Sequence, residues 1–185
     1  MNAEISKLHR QIESLKKRLR KAQQKAEPKK VKNFTLSTPK GDVALRDLFG
    51  RKRDLIVVHN MGRSCPYCTL WADGYNGLVE HIESRAAFVV VSPDAPKDQQ
   101  KFAKSRGWKF KMASDKTGAF TKAMGYLKPK SSWWPAVSAF HLQDDGTIVR
   151  TGTAVFGPGD DFCALWPMFD LLKGGAGRWS PKYKY

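Results

Sequence analysis

Hydrophobic positions in the first 27 residues recur at spacings of three and four, and nearly every position between them is polar. This heptad spacing predicts an amphipathic helix that Pro28 ends. Ile at one seam position and Leu at the other favour a parallel two-stranded coiled coil, although barely three heptads are marginal alone. Two arrangements fit the pattern: a coiled coil between two chains, or a helix packed on the rest of the protein. The seam contains Ile5, Leu8, Ile12, Leu15 and Leu19, continued by Ala22 and Ala26.

Between residues 31 and 124, short apolar runs alternate with amphipathic segments. Strands are predicted at 34–36, 55–59 and 88–92, a helical turn at 44–49, and helices at 96–106 and 116–124. A longer helix is predicted from the first cysteine of a closely spaced pair to about residue 83, because Trp71, Tyr75, Leu78 and Ile82 form one inward-facing stripe. Strands that alternate with helices imply βαβ crossovers and a parallel element in the sheet.

The pattern changes near the C-terminus. Residues 136–142 and 147–155 predict an antiparallel hairpin, because the Asp-Gly step between them suits the turn. A last helix is predicted over 160–173, in which Pro167 either produces a kink or marks the start. The chain is therefore predicted as a basic amphipathic helix (1–28), an α/β domain with a central mixed sheet flanked by helices (29–174), and a basic tail (175–185) that either lies on the surface or is mobile.

Charge and hydropathy limit the partners and the cellular location that we expect for the protein. The net charge is +16, and residues 1–32 hold 11 Lys or Arg against three Glu. Such a segment attracts anionic partners, but no recognisable nucleic-acid reading module accompanies it, so nucleic acid is not an expected partner. No apolar run approaches the roughly 18 residues that span a bilayer, and the N-terminus lacks a signal-like apolar segment. We therefore expect a cytoplasmic protein that does not enter a membrane.

Three cysteines are too few for the disulfide framework of a small secreted domain, so their role is expected to be chemical. Cys65 and Cys68 follow a buried strand and begin a helix, with Pro66 at the first helical position. Only a thiolate is nucleophilic, and the unpaired N–H groups and positive dipole end of a helix start favour that charge. Arg63 adds positive charge two residues away. Cys65 is therefore predicted to be the exposed attacking thiol with a lowered pKa, and Cys68 the resolving thiol.

The same spacing of two cysteines is also half of a zinc site, which would need two more ligands. Only Cys163 and the histidines at 9, 59, 81 and 141 are available, and none forms a second ligand pair. We therefore expect no metal and no cofactor. Cys163 is either a third redox thiol, if it lies near the pair, or a small buried hydrophobic residue.

A proline stands immediately before the first strand of the late hairpin, a position at which a strand tolerates proline. Together, Cys65-Pro66-Tyr67-Cys68 at a helix start and Trp134-Pro135 before the hairpin resemble the thioredoxin superfamily. The tetrapeptide is the one that glutaredoxins usually carry. The resemblance implies a thioredoxin-like fold, a cis bond between Trp134 and Pro135, and a clamp for substrate peptides formed by the neighbours of that bond.

About residues 30–173 resemble a narrower group, the uncharacterised bacterial thioredoxin-like family called domain of unknown function 899. The order of elements is also similar to that of peroxiredoxins. The resemblance to the narrower family implies the fold and says little about function. The segments that carry it are 34–36, 45–50, 68–85 with Trp71-Ala72-Asp73-Gly74, 88–92, and Gly107-Trp108.

Three positions depart from the better-known relatives. Thioredoxin has a buried acid six residues before its first cysteine, where this sequence has His59. A neutral imidazole could accept the proton of Cys68, or His59 could be a core residue hydrogen-bonded to backbone. Peroxiredoxins need Thr or Ser where Gly62 stands and Pro where Val58 stands, so peroxide reduction at their usual site is not expected. Glutaredoxins bind glutathione through a Thr-Val-Pro step, which is Trp133-Trp134-Pro135 here.

Two functions remain at this stage. The first is a thiol–disulfide oxidoreductase that acts on a protein or small-molecule disulfide, with a cellular thiol as reductant. The second is a redox-inactive or redox-sensing interaction protein, in which the thioredoxin scaffold presents a surface and the N-terminal helix forms a homodimer or binds an acidic partner.

Overall fold

The computed structural model describes residues 2–129 and 132–185. The helices are α1 (Ala3–Lys25), α2 (Pro66–Asn76), α3 (Val79–Arg85), α4 (Pro96–Arg106), α5 (Ala119–Ala123) and α6 (Leu165–Phe169), with a 3₁₀ turn at Leu45–Phe49. The strands are β1 (Lys29–Val31), β2 (Thr35–Thr38), β3 (Gly41–Ala44), β4 (Asp54–His59), β5 (Ala87–Ser92), β6 (Lys111–Ser114), β7 (Leu127–Lys128), β8 (Ser132–Trp133), β9 (Ala136–Leu142) and β10 (Ile148–Val155).

The main sheet has the strand order β1-β10-β9-β4-β5-β6-β2-β3 in the part of the chain that the structure describes. Strands β4, β5 and β6 run parallel, and β9 joins β4 in the antiparallel sense. The predicted hairpin of β9 and β10 is present, and its register shifts between Arg150 and Gly152. The predicted α/β class with a central mixed sheet flanked by helices is confirmed.

Both faces of the central strands are buried, which explains why these strands appear in the sequence as continuous apolar runs. Alternate residues of β5 enter different clusters: Val89 and Val91 pack with Phe120 and Phe140 on one face. Phe88 and Val90 pack with α2 on the other face, whose aromatic members include Trp71, Tyr75, Phe156 and Trp166. Helix α2 therefore rests on the second face.

The long helix predicted after the first cysteine is divided in two. Helix α2 ends at Asn76, whose side-chain amide donates to Gly107 O at 3.0 Å and accepts from Lys109 N at 2.8 Å. Gly77 follows, a residue with low helix propensity, and α3 begins at Val79. The prediction that Leu78 faces inward is wrong, because the break turns its side chain to solvent with 53% of its surface exposed.

The predicted last helix over 160–173 is much shorter in the structure. Helix α6 covers only Leu165–Phe169, so Cys163 lies before the helix rather than in its first turn. Pro167 is the third residue of α6, where its missing N–H has no intrahelical acceptor to lose. The tail lies mostly on the surface but contacts the domain: the ring of Trp179 packs edge-on against Phe169 and Trp166, with centroids 5.0 and 6.0 Å apart.

Helix α1 has no buried residue. Its Lys16 ammonium pairs with Asp161 at 2.6 Å, but the five large seam side chains stay 48–57% exposed. The seam is therefore not packed on the domain in this single chain, and the coiled coil would need a second chain. Within residues 2–129 and 132–185, no helix has the length and hydropathy to cross a membrane.

Candidate active site

The loop from His59 to Cys65 connects the end of β4 to the start of α2. Two backbone hydrogen bonds fix its path: Asn60 N donates to Val91 O at 2.8 Å, and Cys65 N donates to Gly62 O at 3.1 Å. Gly62 has a φ of 106°, which side chains rarely adopt, and a Cβ there would lie 3.1 Å from Asp94 Oδ2. The loop therefore disfavours the Thr or Ser that peroxiredoxins place at this position.

Cys65 is the N-cap of α2, and Pro66 occupies the first helical position as predicted. The sulfur of Cys65 accepts the backbone N–H of Cys68 at 3.1 Å, the contact that a side chain makes when it caps a helix. The pKa of Cys65 is lowered to about 7, first by the hydrogen bond from the Cys68 thiol and then by the N–H groups of Cys68 and Tyr67, while partial burial opposes the shift. Near neutral pH a large fraction of Cys65 is thus a thiolate.

Cys68 lies one turn further on and is buried, with 3% of its surface exposed. Its thiol hydrogen bond to Cys65 and its burial raise the pKa of Cys68 far above the ordinary value. The N–H of Met61 contacts its sulfur at 3.4 Å. Both cysteines are free thiols, so the structure represents the reduced pair, in which Cys65 is partly exposed and Cys68 is buried.

Arg63, predicted to add positive charge near Cys65, has its guanidinium paired with two aspartates. Its guanidinium lies 3.4 Å from Asp98 Oδ1 and 3.9 Å from Asp94 Oδ1, and its backbone N–H donates to Asp94 Oδ2 at 2.8 Å. The charge of Arg63 is not among the causes of the lowered Cys65 pKa. The carboxylate of Asp94, which also accepts from the Ser92 hydroxyl, instead anchors the loop before Cys65.

His59 is a core residue and does not act on Cys68 in this structure. Its ring packs with Phe120 and Tyr126 at centroid distances of 5.3 and 4.7 Å, on the face of the sheet opposite α2. Its Nε2 is 3.0 Å from the Ser138 hydroxyl, so its partner is a side chain rather than backbone. Burial, with a smaller effect of the Arg150 charge, lowers the pKa of His59 to about 3, and the ring is therefore neutral.

The peptide bond between Trp134 and Pro135 is trans, so the cis bond implied by the thioredoxin resemblance is wrong. The chain passes through these residues in an extended path: Trp134 N donates to Tyr126 O at 2.8 Å, and Pro135 O accepts from Phe156 N at 2.9 Å. Because His59 pairs with Ala136, Pro135 nevertheless lies at the same sheet edge as the loop to Cys65. Trp134 is exposed beside Lys128, whose ammonium is 5.4 Å from the ring centroid.

Cys163 is buried in the aromatic cluster beneath α2, and burial raises its pKa. It makes no hydrogen bond to Cys65 or Cys68 among the described residues, and its role as a third redox thiol stays a prediction. Tyr67, between the two cysteines, joins the same cluster through Trp71 and Trp166, with ring centroids 6.2 and 6.4 Å away.

Three residues at the site were not identified from the sequence. The hydroxyl of Tyr183, in the tail, donates to Arg63 O at 3.1 Å, and Arg106 donates to Tyr183 O at 2.7 Å. Arg106 in turn pairs with Asp73 on α2. This chain of contacts places an aromatic side chain beside the loop, where it borders an open groove of about 480 Å³ with Arg63, Ser64 and Phe102.

The tail could not be assigned to the site because no local pattern connects residue 183 to residue 63. For Asp73 the sequence offered one signal, since Asp73 and Trp108 lie in two of the segments that resemble the narrower family. The structure joins them, with Trp108 Nε1 2.8 Å from Asp73 Oδ1. Among residues 2–129 and 132–185 no group of three His, Cys, Asp or Glu side chains is placed to hold a metal ion.

Comparison with known proteins agrees with this architecture. The sheet, with α2 and its two cysteines following β4, has a thioredoxin-like fold, of the kind found in peroxiredoxins. The model of a family described as bacterial protein of unknown function (DUF899) matches residues 3–184. The chain belongs to this family. No curated protein matches it.

Several solved peroxiredoxins have a similar fold. A cysteine-to-serine mutant of peroxiredoxin Q from Xanthomonas campestris has a TM-score of 0.55 and 22% identity, over 66% of this chain and 80% of its own. For reduced Prx3 of Vibrio vulnificus in complex with hydrogen peroxide the values are 0.57 and 19%, over 73% and 87%. For a mutant PrxQ of Xylella fastidiosa they are 0.60 and 17%, over 70% and 85%. At these identities the likeness concerns the fold.

Proposed function

We propose that the protein is a thiol–disulfide oxidoreductase in which Cys65 is the nucleophile and Cys68 the resolving thiol. The observation that carries the proposal is the capping contact at α2, where the Cys68 N–H lies 3.1 Å from the Cys65 sulfur. A helix start with unpaired N–H groups stabilises a thiolate without a metal or a neighbouring cation. The lowered pKa of Cys65 and the protected position of Cys68 fit the two roles.

The proposed reaction has two exchange steps. The Cys65 thiolate attacks one sulfur of a substrate disulfide, a mixed disulfide forms, and the other substrate sulfur leaves as a thiolate that takes a proton from water. Cys68 then gives its proton to water and attacks the Cys65 sulfur. The Cys65–Cys68 bond forms as the mixed disulfide breaks, and the second substrate sulfur leaves as a thiolate that takes up a proton from water. The substrate gains two electrons and the pair loses two, and a cellular thiol reductant restores the dithiol.

The activation of Cys68 follows from the causes of its high pKa. The hydrogen bond and the negative charge of Cys65 are two of the three causes that hold the proton on Cys68. Both disappear when Cys65 enters a mixed disulfide, whereas the Met61 N–H, 3.4 Å from the Cys68 sulfur, remains as a donor. The pKa of Cys68 therefore falls at the step at which its thiolate is needed, and neutral His59 has no part in the transfer.

The surface around Cys65 favours a disulfide carried by a peptide or a small molecule. The groove of about 480 Å³ beside Ser64 is walled by the rings of Phe102 and Tyr183. On the other side of the loop, Pro135 and exposed Trp134 are the candidate clamp for a substrate backbone. The proposal locates the protein in the cytoplasm, where thiol reductants keep such a pair reduced.

The test compares Cys65→Ser with Cys163→Ser, since both remove one sulfur but only the first removes the nucleophile. The wild-type protein and Cys163→Ser are expected to reduce a model protein disulfide at equal rates, and Cys65→Ser at the uncatalysed rate. Cys68→Ser should accumulate the mixed disulfide, which mass spectrometry detects. Full activity of Cys65→Ser would contradict the proposal and leave the interaction protein as the function to pursue.

A further inference from the structure

The seam of α1 is a regular apolar stripe on a helix that no other part of the described chain covers. Its five large aliphatic side chains span about 21 Å along the helix at 1.5 Å per residue, and each keeps about half of its surface in water. None of the residues of α1 is buried. A stripe of this length on an otherwise polar helix is typical of an interface whose second half is missing.

The side of α1 that faces the domain is a different one. Lys16 pairs with Asp161, while Arg20, Gln23 and Gln24 border an apolar cleft of about 610 Å³ between α1 and the sheet. At 100° per residue the mean direction of these four residues is about a quarter of a turn from the mean direction of the seam. The domain therefore holds the C-terminal half of α1 from one side, where Ala26 at the end of the seam also borders the cleft. The five large seam side chains are left open for a second helix.

We propose that the seam of α1 binds a second copy of this chain as a parallel, in-register coiled coil. Ile5 and Ile12 occupy the first core position of their heptads, and Leu8 and Leu15 occupy the other. This β-branched and γ-branched order favours two parallel strands. In such a dimer each core residue packs against the same residue of the second copy, so the stripe supplies both halves of the interface.

Charges beside the seam fit the parallel arrangement despite the basic character of the helix. In a parallel coiled coil, consider the residue that immediately precedes each first core residue. It lies beside a residue of the other helix whose number is higher by five. Those pairs are Glu4 with His9, Gln11 with Lys16, and Arg18 with Gln23. None combines two like charges. The remaining basic residues of these heptads lie on the outer positions, away from the seam: Lys7, Arg10, Lys17, Arg20 and Lys21.

The size of the seam predicts a reversible dimer rather than a permanent one. Ten half-exposed aliphatic side chains bury on the order of 1,000 Å² in total, at the low end of specific interfaces. Because both helices are basic, salt should strengthen this dimer by screening their repulsion. An acidic protein or nucleic acid bound to the same helix would show the opposite dependence.

The first test is sedimentation equilibrium of the full chain with reductant, from 1 to 200 µM. A monomer–dimer equilibrium in the micromolar range is expected, which tightens when NaCl rises from 50 to 500 mM. Leu15→Lys should weaken the dimer at least tenfold. Ser14→Lys, which adds the same charge at the neighbouring non-seam position, should weaken it less than threefold. A monomer at 200 µM, or a dimer equally affected by both variants, would overturn the proposal.

The second test determines the orientation. In the Cys65→Ser/Cys68→Ser background, Leu8→Cys places a thiol at a core position where two copies approach within disulfide distance only if the helices are parallel. Mild oxidation should crosslink Leu8→Cys to a covalent dimer and leave the outer-face control Arg10→Cys largely monomeric. A dimer in which Leu8→Cys does not crosslink would refute the parallel register. Neither test depends on catalysis, so the proposed redox function stands or fails separately.

Discussion

The thiol of Cys68 is the main cause of the lowered Cys65 pKa, so its removal should make Cys65 a poorer nucleophile. In Cys68→Ala the thiol donor is lost, while the backbone N–H of residue 68 still reaches the Cys65 sulfur, at 3.1 Å in the wild type. The pKa of Cys65 should then rise from about 7 toward its ordinary value without reaching it. The change tests whether side-chain or backbone donors hold the charge.

The size of the effect follows from the thiolate fraction. With a pKa of about 7, half of Cys65 is ionised at pH 7, whereas an ordinary thiol with a pKa of 9.0 is ionised to about 1%. Because the backbone donors remain, Cys68→Ala should lie between these limits. We expect the alkylation rate of Cys65 at pH 7 to fall about three- to tenfold, and the rates of the two proteins to converge above pH 9.5.

The assay is iodoacetamide labelling from pH 5 to 10, with the modified peptide quantified by mass spectrometry. Cys163→Ala is the matched control, because it also removes a buried sulfur near α2 but no donor to Cys65. Its profile should coincide with that of the wild type. A Cys68→Ala profile identical to the wild type would refute the role of the thiol donor, and an unperturbed wild-type profile would refute the lowered pKa itself.

Three further predictions concern the residues around the pair. Since the folded pKa of His59 is about 3 and the unfolded one about 6.5, the unfolded state takes up the proton first, so this residue lowers wild-type stability below pH 6.5. In urea titrations His59→Gln should remove up to about 1.4 kcal/mol per pH unit of that slope between pH 6.5 and 4.5. Asp94→Asn should slow disulfide reduction severalfold by loosening the loop, whereas Asp98→Asn, which loses only the outer contact of the Arg63 guanidinium, should not. Gly62→Thr should cost about 1–3 kcal/mol and leave peroxide oxidation of Cys65 slow, because φ at 62 and the Asp94 carboxylate oppose the side chain; a stable variant with fast peroxide turnover would contradict this.

Local sequence patterns correctly predicted those helices and strands whose ends are determined by residues next to the boundary. The helix at 96–106 begins at a proline and ends before Gly107, whose φ is 67°, and the strand at 136–142 has the predicted bounds. The capped start of α2 was also predictable, because Pro66 and the free N–H groups act within one turn. These features need no knowledge of distant residues.

The features that the sequence did not predict depend on contacts between distant segments. Helix α2 ends where the Asn76 side chain reaches the loop after Gly107, and no periodicity records that contact. The path of the chain at Trp134 and Pro135 includes two strand-like backbone contacts, to residues 126 and 156, which no local pattern indicates. That His59 is buried was predictable from the sequence. The face of the sheet on which its side chain lies was not, because it depends on how β4 pairs with its neighbours.

The reduced pair owes much of its stabilisation to contacts that exist only while Cys65 is an anion. The Cys68 thiol and two backbone N–H groups all favour the thiolate, and they lose most of that electrostatic benefit when the sulfurs join. A site that stabilises its dithiol form in this way has a higher reduction potential than one with an unperturbed thiol, because oxidation must give up the same interactions. The Cys68 thiol contributes most to the lowered pKa of Cys65. Loss of the backbone N–H donors alone would therefore not reverse the preference of the pair for its reduced form. The pKa of Cys65 and the reduction potential should therefore move in opposite directions across variants of the loop 60–68, and variants in which both rise together would refute this coupling.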